Sequence, residues 1–450
     1  MSISLLESAL FKDMFGTAAM RAIFDDEATL ARYVETEVAL ARVQGQLGVI
    51  PQSAADDIAR LADASRLDMA RMKHETEIVG YPILPLVNQL AGMCGPAGEY
   101  LHWGATTQDI MDTATVLQIR EALAVIEADL DALDGILDAL AQRYRDTPMA
   151  GRTHLQHALP ITFGYKAAVW LLMVRRHRTR LQELKPRVLI GQFGGAAGTL
   201  ASLGEQGIAV QEALMDTLGL DAAPVTWHVA RDGLAETVQF LGLVTASLGK
   251  IALDIMLMMT NELGEAFEPF VKSRGASSTM PQKRNPISCE LMLSAAKSVR
   301  QHAGLALDAM VQDFERATGP WHIEWSIIPE SFILTAGALR QVQFMLGGLE
   351  VDSARMRRNL DLTGGLIVAE AVMMGLAPHL GRQTAHDVVY DACRHAMAQR
   401  STLADVLRQE PRVAEHLDAE AIDRLCDPAR YLGQAPHMVD RMHAWGAPGV

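Results

Sequence analysis

The stretch MDTATVLQIREALAVIEADLDALDGILDALAQRY, residues 111–144, decides the class of fold. Its apolar residues recur at spacings of three and four through many turns, which is the period of one face of an α-helix. We therefore predict one very long helix from Asp109 to about Arg145. Four similar stretches are longer than the average helix of about 11–12 residues; they lie near 160–186, 232–266, 286–312 and 327–349.

The composition agrees with an all-α fold. Hydrophobic residues make up 49% of the 450 residues and aromatic residues only 5%, while good helix formers recur throughout. A chain of this length exceeds the usual size of a single core, so several structural regions are expected. We predict an N-terminal helical domain, a central bundle of long helices and a C-terminal helical domain, at 1–108, 109–350 and 351–450.

Two of the long segments carry apolar residues on more than one face. These are KIALDIMLMMTNEL at 250–263 and CELMLSAAKSV at 289–299. A bundle made from a single chain would leave such a stripe exposed to water. We therefore expect a homo-oligomer.

Charge, cysteine content and the N-terminus exclude several classes of protein. The net charge of −14 argues against nucleic acid, which is bound mainly through cationic patches. No basic signal region or apolar run of about 20 residues is found, so no membrane and a cytoplasmic location are expected. No CxxC pair occurs, which argues against a zinc ribbon or a disulfide framework; the four cysteines are Cys94, Cys289, Cys393 and Cys426.

The stretch GASSTMPQKRNPISCE, residues 275–290, interrupts the helical pattern with polar side chains. Its hydroxyls (Ser277, Ser278), its cation (Lys283) and its amide (Asn285) together suit a carboxylate. Four cations within thirteen residues of an acidic chain would attract a small anion. An ordinary solvated basic loop explains the residue types equally well.

Two further stretches carry candidate site residues. In GATTQDIMDTA, 104–114, Thr106, Thr107 and Gln108 stand at the start of the long helix, where hydroxyls and free N–H groups can cradle a carboxylate. Plain helix capping by Thr107 or Asp109 is compatible with the same pattern. In GRTHLQHALPITFG, 151–164, His154 precedes an apolar segment, a position that a structural histidine occupies more often than a catalyst.

Together the three stretches resemble the signatures of the aspartase/fumarase superfamily. Residues 275–285 are similar to its G-S-S-x-M-P-x-K-x-N loop, with Ala276 in place of a glycine. The resemblance covers nearly the whole chain. It implies a three-region helical fold whose long helices assemble into a tetrameric core, active sites shared between three subunits of a homotetramer, and no metal or organic cofactor.

The resemblance also implies roles for individual residues. Ser277 would be the base that removes a carbon-bound proton, and Lys283 and Asn285 would hold the carboxylate that takes up the charge. Glu290 stands where superfamily members place the partner of the histidine matched by His154, so this pair would assist the leaving group or orient the substrate. The remaining predicted substrate contacts are Thr106, Thr107, Gln108, Thr153, Gln156, Ser278, Met280, Arg316, and two histidines matching the adenylosuccinate lyase branch, His102 and His74.

The far half of the chain resembles one subgroup. FERATGPWHIEWSIIPESFILTAGALRQ, 314–341, is similar to 3-carboxy-cis,cis-muconate cycloisomerases. Those enzymes carry tryptophan at the position of His154 and a small apolar residue at that of Glu290, so the histidine and glutamate favour lyase chemistry here.

We therefore expect a lyase acting on a small anionic dicarboxylate. The predicted reaction is reversible anti β-elimination from an N-substituted aspartate such as iminodisuccinate, with fumarate release, or epimerisation through re-addition. Alternatives are 3-carboxymuconate cycloisomerisation, adenylosuccinate lyase activity and a non-catalytic scaffold. Adenylosuccinate lyases carry an N-terminal arginine-tyrosine that has no counterpart in this chain.

Overall fold

The computed structural model describes residues 4–316 and 318–445, and α-helices dominate both stretches. The first six helices are α1 (Lys12–Phe15), α2 (Ala18–Phe24), α3 (Asp26–Gln46), α4 (Gln52–Leu61), α5 (Met69–Val79) and α6 (Ile83–Cys94). The next six are α7 (Thr107–Arg143), α8 (Phe163–Val188), α9 (Gly207–Leu218), α10 (Asp232–Met258), α11 (Ile287–Ala309) and α12 (Pro320–Gly347). The last seven are α13 (Ser353–Leu360), α14 (Ala369–Leu380), α15 (Arg382–Gln399), α16 (Leu403–Gln409), α17 (Pro411–Ala414), α18 (Ala419–Cys426) and α19 (Ala435–Trp445).

The long helices confirm the all-α prediction. Helix α7 has 37 residues and lies within two residues of both predicted bounds. Helix α12 begins at Pro320, seven residues before the predicted start, and Pro329 lies inside it. Helix α10 ends at Met258, earlier than predicted, because the apolar pattern continues into a non-helical segment.

Short strands accompany the helices. In the described residues they are β1 (Pro148–Thr153), β2 (Gln156–Thr162), β3 (Ile190–Gly191), β4 (Asp221–Ala222), β5 (Ala266–Phe267) and β6 (Glu350–Val351), which form three two-stranded sheets.

The hairpin of β1 and β2 corrects one prediction. Residues 160–162, expected to begin a helix, instead belong to β2, and their partners are residues 148–150 of β1. Helix α8 begins after Thr162, whose hydroxyl accepts the N–H of Tyr165 at 3.0 Å. This side chain acts as a helix cap and therefore fixes the boundary between strand and helix.

The chain folds into two compact units. The first comprises Met1–Leu130, His177–Leu248 and Leu291–Arg340, and the second comprises Asp131–Arg176, Gly249–Glu290 and Gln341–Val450. Five long helices, α7, α8, α10, α11 and α12, contribute residues to both units. The three regions predicted at 1–108, 109–350 and 351–450 are consecutive segments of the chain, whereas the two units are groups of residues in contact. The three regions stay a prediction.

Each unit has its own apolar clusters. In the first unit, helices α3, α4 and α6 pack around the start of α7, where Ile110 and Ala114 are fully buried. In the second unit, the C-terminal helices α14, α15 and α16 bury Leu376, Val388 and Leu403. These clusters hold α7 and the C-terminal helices in place.

Helix α10 is the most apolar of the long helices. By length and composition alone it is long and apolar enough to cross a membrane, which the search for apolar runs in the sequence missed. Half of its most apolar window is buried inside the fold. This burial is typical of a core helix.

A buried ionic cluster joins α7, α12 and the segment before α10 within the first unit. The guanidinium of Arg231 donates to both oxygens of Asp112, at 2.6 and 2.9 Å, and to Glu324 at 3.0 Å. Arg231 also lies over the ring of Trp227, 5.0 Å from its centroid. Because all three charged groups are buried, removing the cation would leave two carboxylates without compensation.

Replacing Arg231 with methionine should therefore lower the free energy of unfolding by about 3–5 kcal/mol. The matched control is Arg187→Met, which breaks the exposed ion pair with Glu236 and should cost no more than about 1 kcal/mol. Urea denaturation followed by circular dichroism measures both variants. Equal shifts in the two would contradict a stabilising role for the buried cluster.

Candidate active site

The segment between β5 and α11 forms a loop with a closed base. Ala276 and Arg284 form an antiparallel bridge, and the N–H of Asn285 donates to the carbonyl of Gly275 at 3.0 Å. Gly275 has φ +65°, and a Cβ at this position would lie 2.5 Å from the carbonyl oxygen of Asn285. Glycine is therefore required where the two arms of the loop meet.

Two arginines anchor this base within the second unit. Arg274 donates to Ser288 Oγ at 2.8 Å and to Gln341 Oε1 at 2.9 Å. Arg284 donates to Glu350 at 3.0 Å and to the carbonyl of Glu268 at 2.7 Å. The hydrogen bond from Arg284 is the main reason that the pKa of the Glu350 carboxyl is lowered.

Helix α11 begins on a buried carboxylate. Glu268, which is 5% exposed, accepts the N–H groups of Ser288 at 3.1 Å and Cys289 at 2.9 Å. These are first-turn donors that have no partner within the helix. Glu268 therefore fixes the start of α11. It also fixes the position of Glu290, which is exposed in the first turn of that helix.

The tip of the loop presents Ser277. Its Oγ accepts the backbone N–H of Met280 at 3.0 Å and of Thr279 at 3.3 Å. Ser278 and Lys283 are exposed, and among the described residues neither side chain has a hydrogen-bond partner. Two amide donors directed at one hydroxyl oxygen would stabilise its deprotonated form.

His154 lies at the tip of the β1–β2 hairpin. His154 and Leu155 form a two-residue turn between the paired Thr153 and Gln156, with φ values of 52° and 63°. Two positive φ values in succession define a turn that asparagine and glycine normally occupy. The hairpin therefore holds His154 in an exposed and strained conformation.

The base of this turn is held by a buried cluster that the sequence did not indicate. Arg152 donates to both oxygens of Glu265, at 2.9 and 2.6 Å. Glu265 is fully buried and also accepts from Asn359 at 2.7 Å. Burial, followed by the charge of Arg152, lowers the pKa of the neighbouring His157.

The predicted pairing of His154 with Glu290 is not formed within this chain. Within residues 4–316 and 318–445, neither side chain makes a hydrogen bond or ion pair, and both are exposed. Both groups are thus open to an incoming molecule or to a second copy of the chain. Their pairing stays a prediction.

The first unit brings Thr106 and Arg316 together at the start of α7. Arg316 donates to Thr106 Oγ1 at 2.7 Å and to the carbonyl of Ala196 at 3.0 Å. The sequence separates these two residues by 210 positions, and only the resemblance related them. A hydroxyl and a guanidinium in contact at a helix N-terminus suit a carboxylate.

Asp109 organises this end of α7. Its fully buried carboxylate accepts the N–H groups of Thr106, Gly194 and Gly195, each at 2.9 Å. His228 Nε2 lies 2.8 Å from Asp109 Oδ1, the oxygen that also accepts the N–H of Gly194. The capping interpretation of Asp109 thus fits, and its long-range partner His228 was missed because nothing local in the sequence relates them.

Gln108 does not face open space. It is 1% exposed, and its amide donates to Asp112 at 3.1 Å and to the carbonyl of His228 at 2.9 Å. This geometry suits a residue that positions the helix start rather than one that contacts substrate. Thr107, by contrast, is partly exposed at the first helical position.

His102 is paired with a carboxylate that the sequence analysis missed. Its Nδ1 lies 2.6 Å from Glu37 Oε1, and Glu37 is 1% exposed. Burial lowers the pKa of His102, but the hydrogen bond and charge of Glu37 outweigh burial and raise it overall. The available signal was Glu37, which lies on the apolar face of the helical stretch VETEVALA, residues 34–41. His74 is exposed on α5.

His102 also has a left-handed backbone, with φ 56°. This conformation is costly for a residue with a Cβ and accumulates at functional sites.

Within the described residues, no group of three or more His, Cys, Asp or Glu side chains is arranged to hold a metal ion.

Two family models match this chain. Residues 15–300 match the family model described as lyase, and residues 365–442 match the model described as adenylosuccinate lyase C-terminus. The chain belongs to this lyase family, within the aspartase/fumarase superfamily. The predicted membership is confirmed.

Relatives with different names match almost the whole chain. A trans-aconitate decarboxylase of Mycosarcoma maydis is 50% identical over 96% of this chain and 87% of its own length. A 3-carboxy-cis,cis-muconate cycloisomerase of Pseudomonas aeruginosa is 47% identical, covering 96% and 95%. A nitrosuccinate lyase of Streptomyces davaonensis is 42% identical, covering 97% and 95%.

A solved structure shows the same fold. The fumarate lyase from Mesorhizobium sp. BNC1 is 56% identical, with a TM-score of 0.91 over 96% of this chain and 99% of that one. Together these findings support a lyase or cycloisomerase of the superfamily.

Replacing Glu37 with glutamine should lower the pKa of His102, because the charge of Glu37 no longer opposes burial and only the smaller effect of the Asp109 charge remains. In the wild type, His102 should titrate above the ordinary value of 6.5, and in the variant it should titrate at a lower pH than in the wild type. Histidine ring chemical shifts measured against pH test this. His157 serves as the control and should titrate unchanged in the variant; an unchanged His102 would contradict the role of Glu37.

Proposed function

We propose that this protein catalyses reversible anti β-elimination from an N-substituted aspartate such as iminodisuccinate, releasing fumarate or giving the epimer by re-addition. The observation that carries the proposal is the Ser277 hydroxyl, which accepts two backbone N–H groups at 3.0 and 3.3 Å. A serine acting as base needs such stabilisation of its oxyanion. The name of the nitrosuccinate lyase relative supports elimination at a succinate carbon bearing nitrogen.

The first step would transfer a proton from carbon to Ser277. The electron pair of the broken C–H bond moves into the adjacent carboxylate, which then carries two negative charges. Lys283 and Asn285 follow Ser277 on the same loop and would stabilise that charge by a cation and an amide donor. Because the arginine anchors hold only the base of the loop, its tip can close over substrate and exclude water.

The second step would break the C–N bond. The electron pair held by the doubly charged carboxylate of the intermediate returns to form the double bond of fumarate. The departing nitrogen takes a proton from His154. Glu290 of the completed site would favour the charged imidazole that this step requires. Re-addition of the nitrogen to the opposite face of fumarate would reverse the configuration.

The other carboxylate of the substrate would lie at the start of α7. Thr106 and Arg316 are already in contact there, at 2.7 Å, and Thr107 is partly exposed beside them. Thr153, Gln156, Ser278 and Met280 would complete the binding surface, with His102 and His74 as further contacts. As part of the proposal, the protein is a cytoplasmic homotetramer whose sites draw segments from three subunits.

The second candidate is 3-carboxymuconate cycloisomerisation. It is favoured by the relative of that name, which is 47% identical over 96% of this chain. Against it stand His154 and Glu290, since a lactonisation releases no nitrogen that requires a proton.

We expect purified protein to form fumarate from iminodisuccinate, or to change its configuration, while adenylosuccinate and 3-carboxymuconate remain unconverted. Absorbance of fumarate, chiral chromatography and lactone detection measure the three outcomes. Ser277→Ala should lower the rate by about 10²–10⁴-fold, and the matched loop variant Gln282→Ala should retain activity. Lactone formation without fumarate would overturn the proposed reaction in favour of the cycloisomerase.

Mixing two inactive variants tests whether sites are shared. Ser277→Ala and His154→Ala tetramers should each be nearly inactive and should regain partial activity after their subunits exchange, because some sites would then combine an intact serine with an intact histidine. Exchange is followed with differently labelled subunits. Demonstrated exchange without recovered activity would count against shared sites.

A further inference from the structure

An open cleft in the first unit combines acidic and aromatic side chains. It has a volume of about 340 Å³ and is lined by residues of α2, α3, α5, α7 and α12. We call it the acidic cleft and define it by Asp26, Tyr33, Asp112, Trp321, Glu324 and Trp325. Apart from Asp112 and Glu324 in the buried ionic cluster, none of these residues has a role in the arguments above.

The lining carries excess negative charge. Three carboxylates, those of Asp26, Asp112 and Glu324, face one cation, Arg231, and no other lysine or arginine among the described residues lines the cleft. Arg231 is already engaged by two of the carboxylates. Burial raises the pKa of Glu324 even though the hydrogen bond and charge of Arg231 oppose it. A further cation would relieve this imbalance.

Tyr33 is a second, independent sign of a ligand. It lines the cleft, is 8% exposed, and its hydroxyl has no hydrogen-bond partner in the part of the chain that the structure describes. The side chain is buried, but its hydroxyl oxygen is not fully enclosed, so the hydroxyl opens onto the cleft and can take a hydrogen-bond partner from it. Burial, then the charges of Asp112 and Asp26, raise its pKa well above the ordinary value, so the group stays neutral and can accept a hydrogen bond.

Two tryptophans supply an aromatic wall. The rings of Trp321 and Trp325 are 5.1 Å apart at 81°, in an edge-to-face arrangement. Trp321 is 5% exposed and donates its N–H to Asp112 at 3.2 Å, whereas Trp325 remains 38% exposed. A partly exposed indole beside carboxylates attracts a cation with an apolar body.

From this juxtaposition we propose that the acidic cleft binds a small organic ammonium ion with a flat apolar body. The ammonium group donates to Asp26, Glu324 and the Tyr33 hydroxyl, and the apolar body packs on Trp325. An anion would meet three carboxylates, and a neutral ligand would leave the excess charge in place. The site goes beyond the proposed elimination and does not depend on it.

Calorimetric titration of the full chain with benzylammonium tests the proposal, with benzyl alcohol as the neutral probe of the same shape. We expect benzylammonium to bind at least about tenfold more tightly, because hydrogen bonds from a charged donor to carboxylates are stronger than those from a neutral hydroxyl. Added salt should weaken binding of the cation only. Equal binding of the two probes, or no heat with millimolar benzylammonium, would overturn the proposal.

A matched pair of variants locates the site. Asp26→Asn removes a carboxylate that lines the cleft, and Glu27→Gln removes its neighbour in the same helical turn, which does not line it. We expect about three- to fivefold weaker benzylammonium binding in the first and unchanged binding in the second. Equal weakening in both variants would show that binding depends on the overall negative charge of the protein, and it would refute the site.

Tyr33→Phe keeps the ring and removes only the hydroxyl. It should weaken benzylammonium binding about fivefold and leave benzyl alcohol unaffected. Circular dichroism confirms that each variant is folded. Because no turnover is measured, a failure here leaves the proposed reaction untouched, and a failure of that reaction leaves this site untouched.

Discussion

The carboxylate of Asp109 is fully buried, so both of its oxygens must accept hydrogen bonds. The arrangement of the surrounding part of the first unit depends on these bonds. It accepts three backbone N–H groups and faces His228. An unpaired charge at this depth would be prohibitive. The same contacts fix the glycine segment whose neighbouring carbonyl holds Arg316. The buried carboxylate of Asp109 therefore sets both the geometry of the start of α7 and the position of the Arg316 guanidinium.

In the second unit, side-chain contacts anchor the ends of the 275–285 loop and of the β1–β2 hairpin. Arg274, Arg284 and Glu268 hold the ends of the serine loop through side-chain and backbone contacts, and Glu265 holds the end of β1. The tips, Ser277 and His154, lie outside these anchors. Such a division allows the two proposed catalytic side chains to move over short distances while the strands and helices that carry them stay in register.

Much of the fold followed from periodicity along the sequence. The long helix α7 was predicted within two residues because its period of 3.6 persists over 37 residues. The β1–β2 hairpin was missed because a short apolar run such as ALPIT fits either a strand or a helix end. Pro329 lies inside α12 rather than at a boundary, since a proline kinks or interrupts only its local hydrogen bonds.

The candidate site was predictable where motifs are local and unpredictable where partners are distant. Ser277, Lys283 and Asn285 came from one loop and its resemblance to known signatures. Glu265, His228 and Glu37 lie 65 to 119 positions from the residues they hold. No local pattern encodes such pairings, because they are set by how the long helices bring remote segments together.

The turn at His154 and Leu155 has a further consequence for how the protein reaches its working form. Leu155 adopts a conformation that favours glycine and leaves 79% of its surface in water, so within one chain it gains neither backbone nor burial energy. Covering such a side chain would contribute roughly 1.5–3 kcal/mol. In the proposed homotetramer a second copy of the chain would cover Leu155, so the stability of the hairpin would rise with protein concentration and dilution would act first on the turn that carries His154.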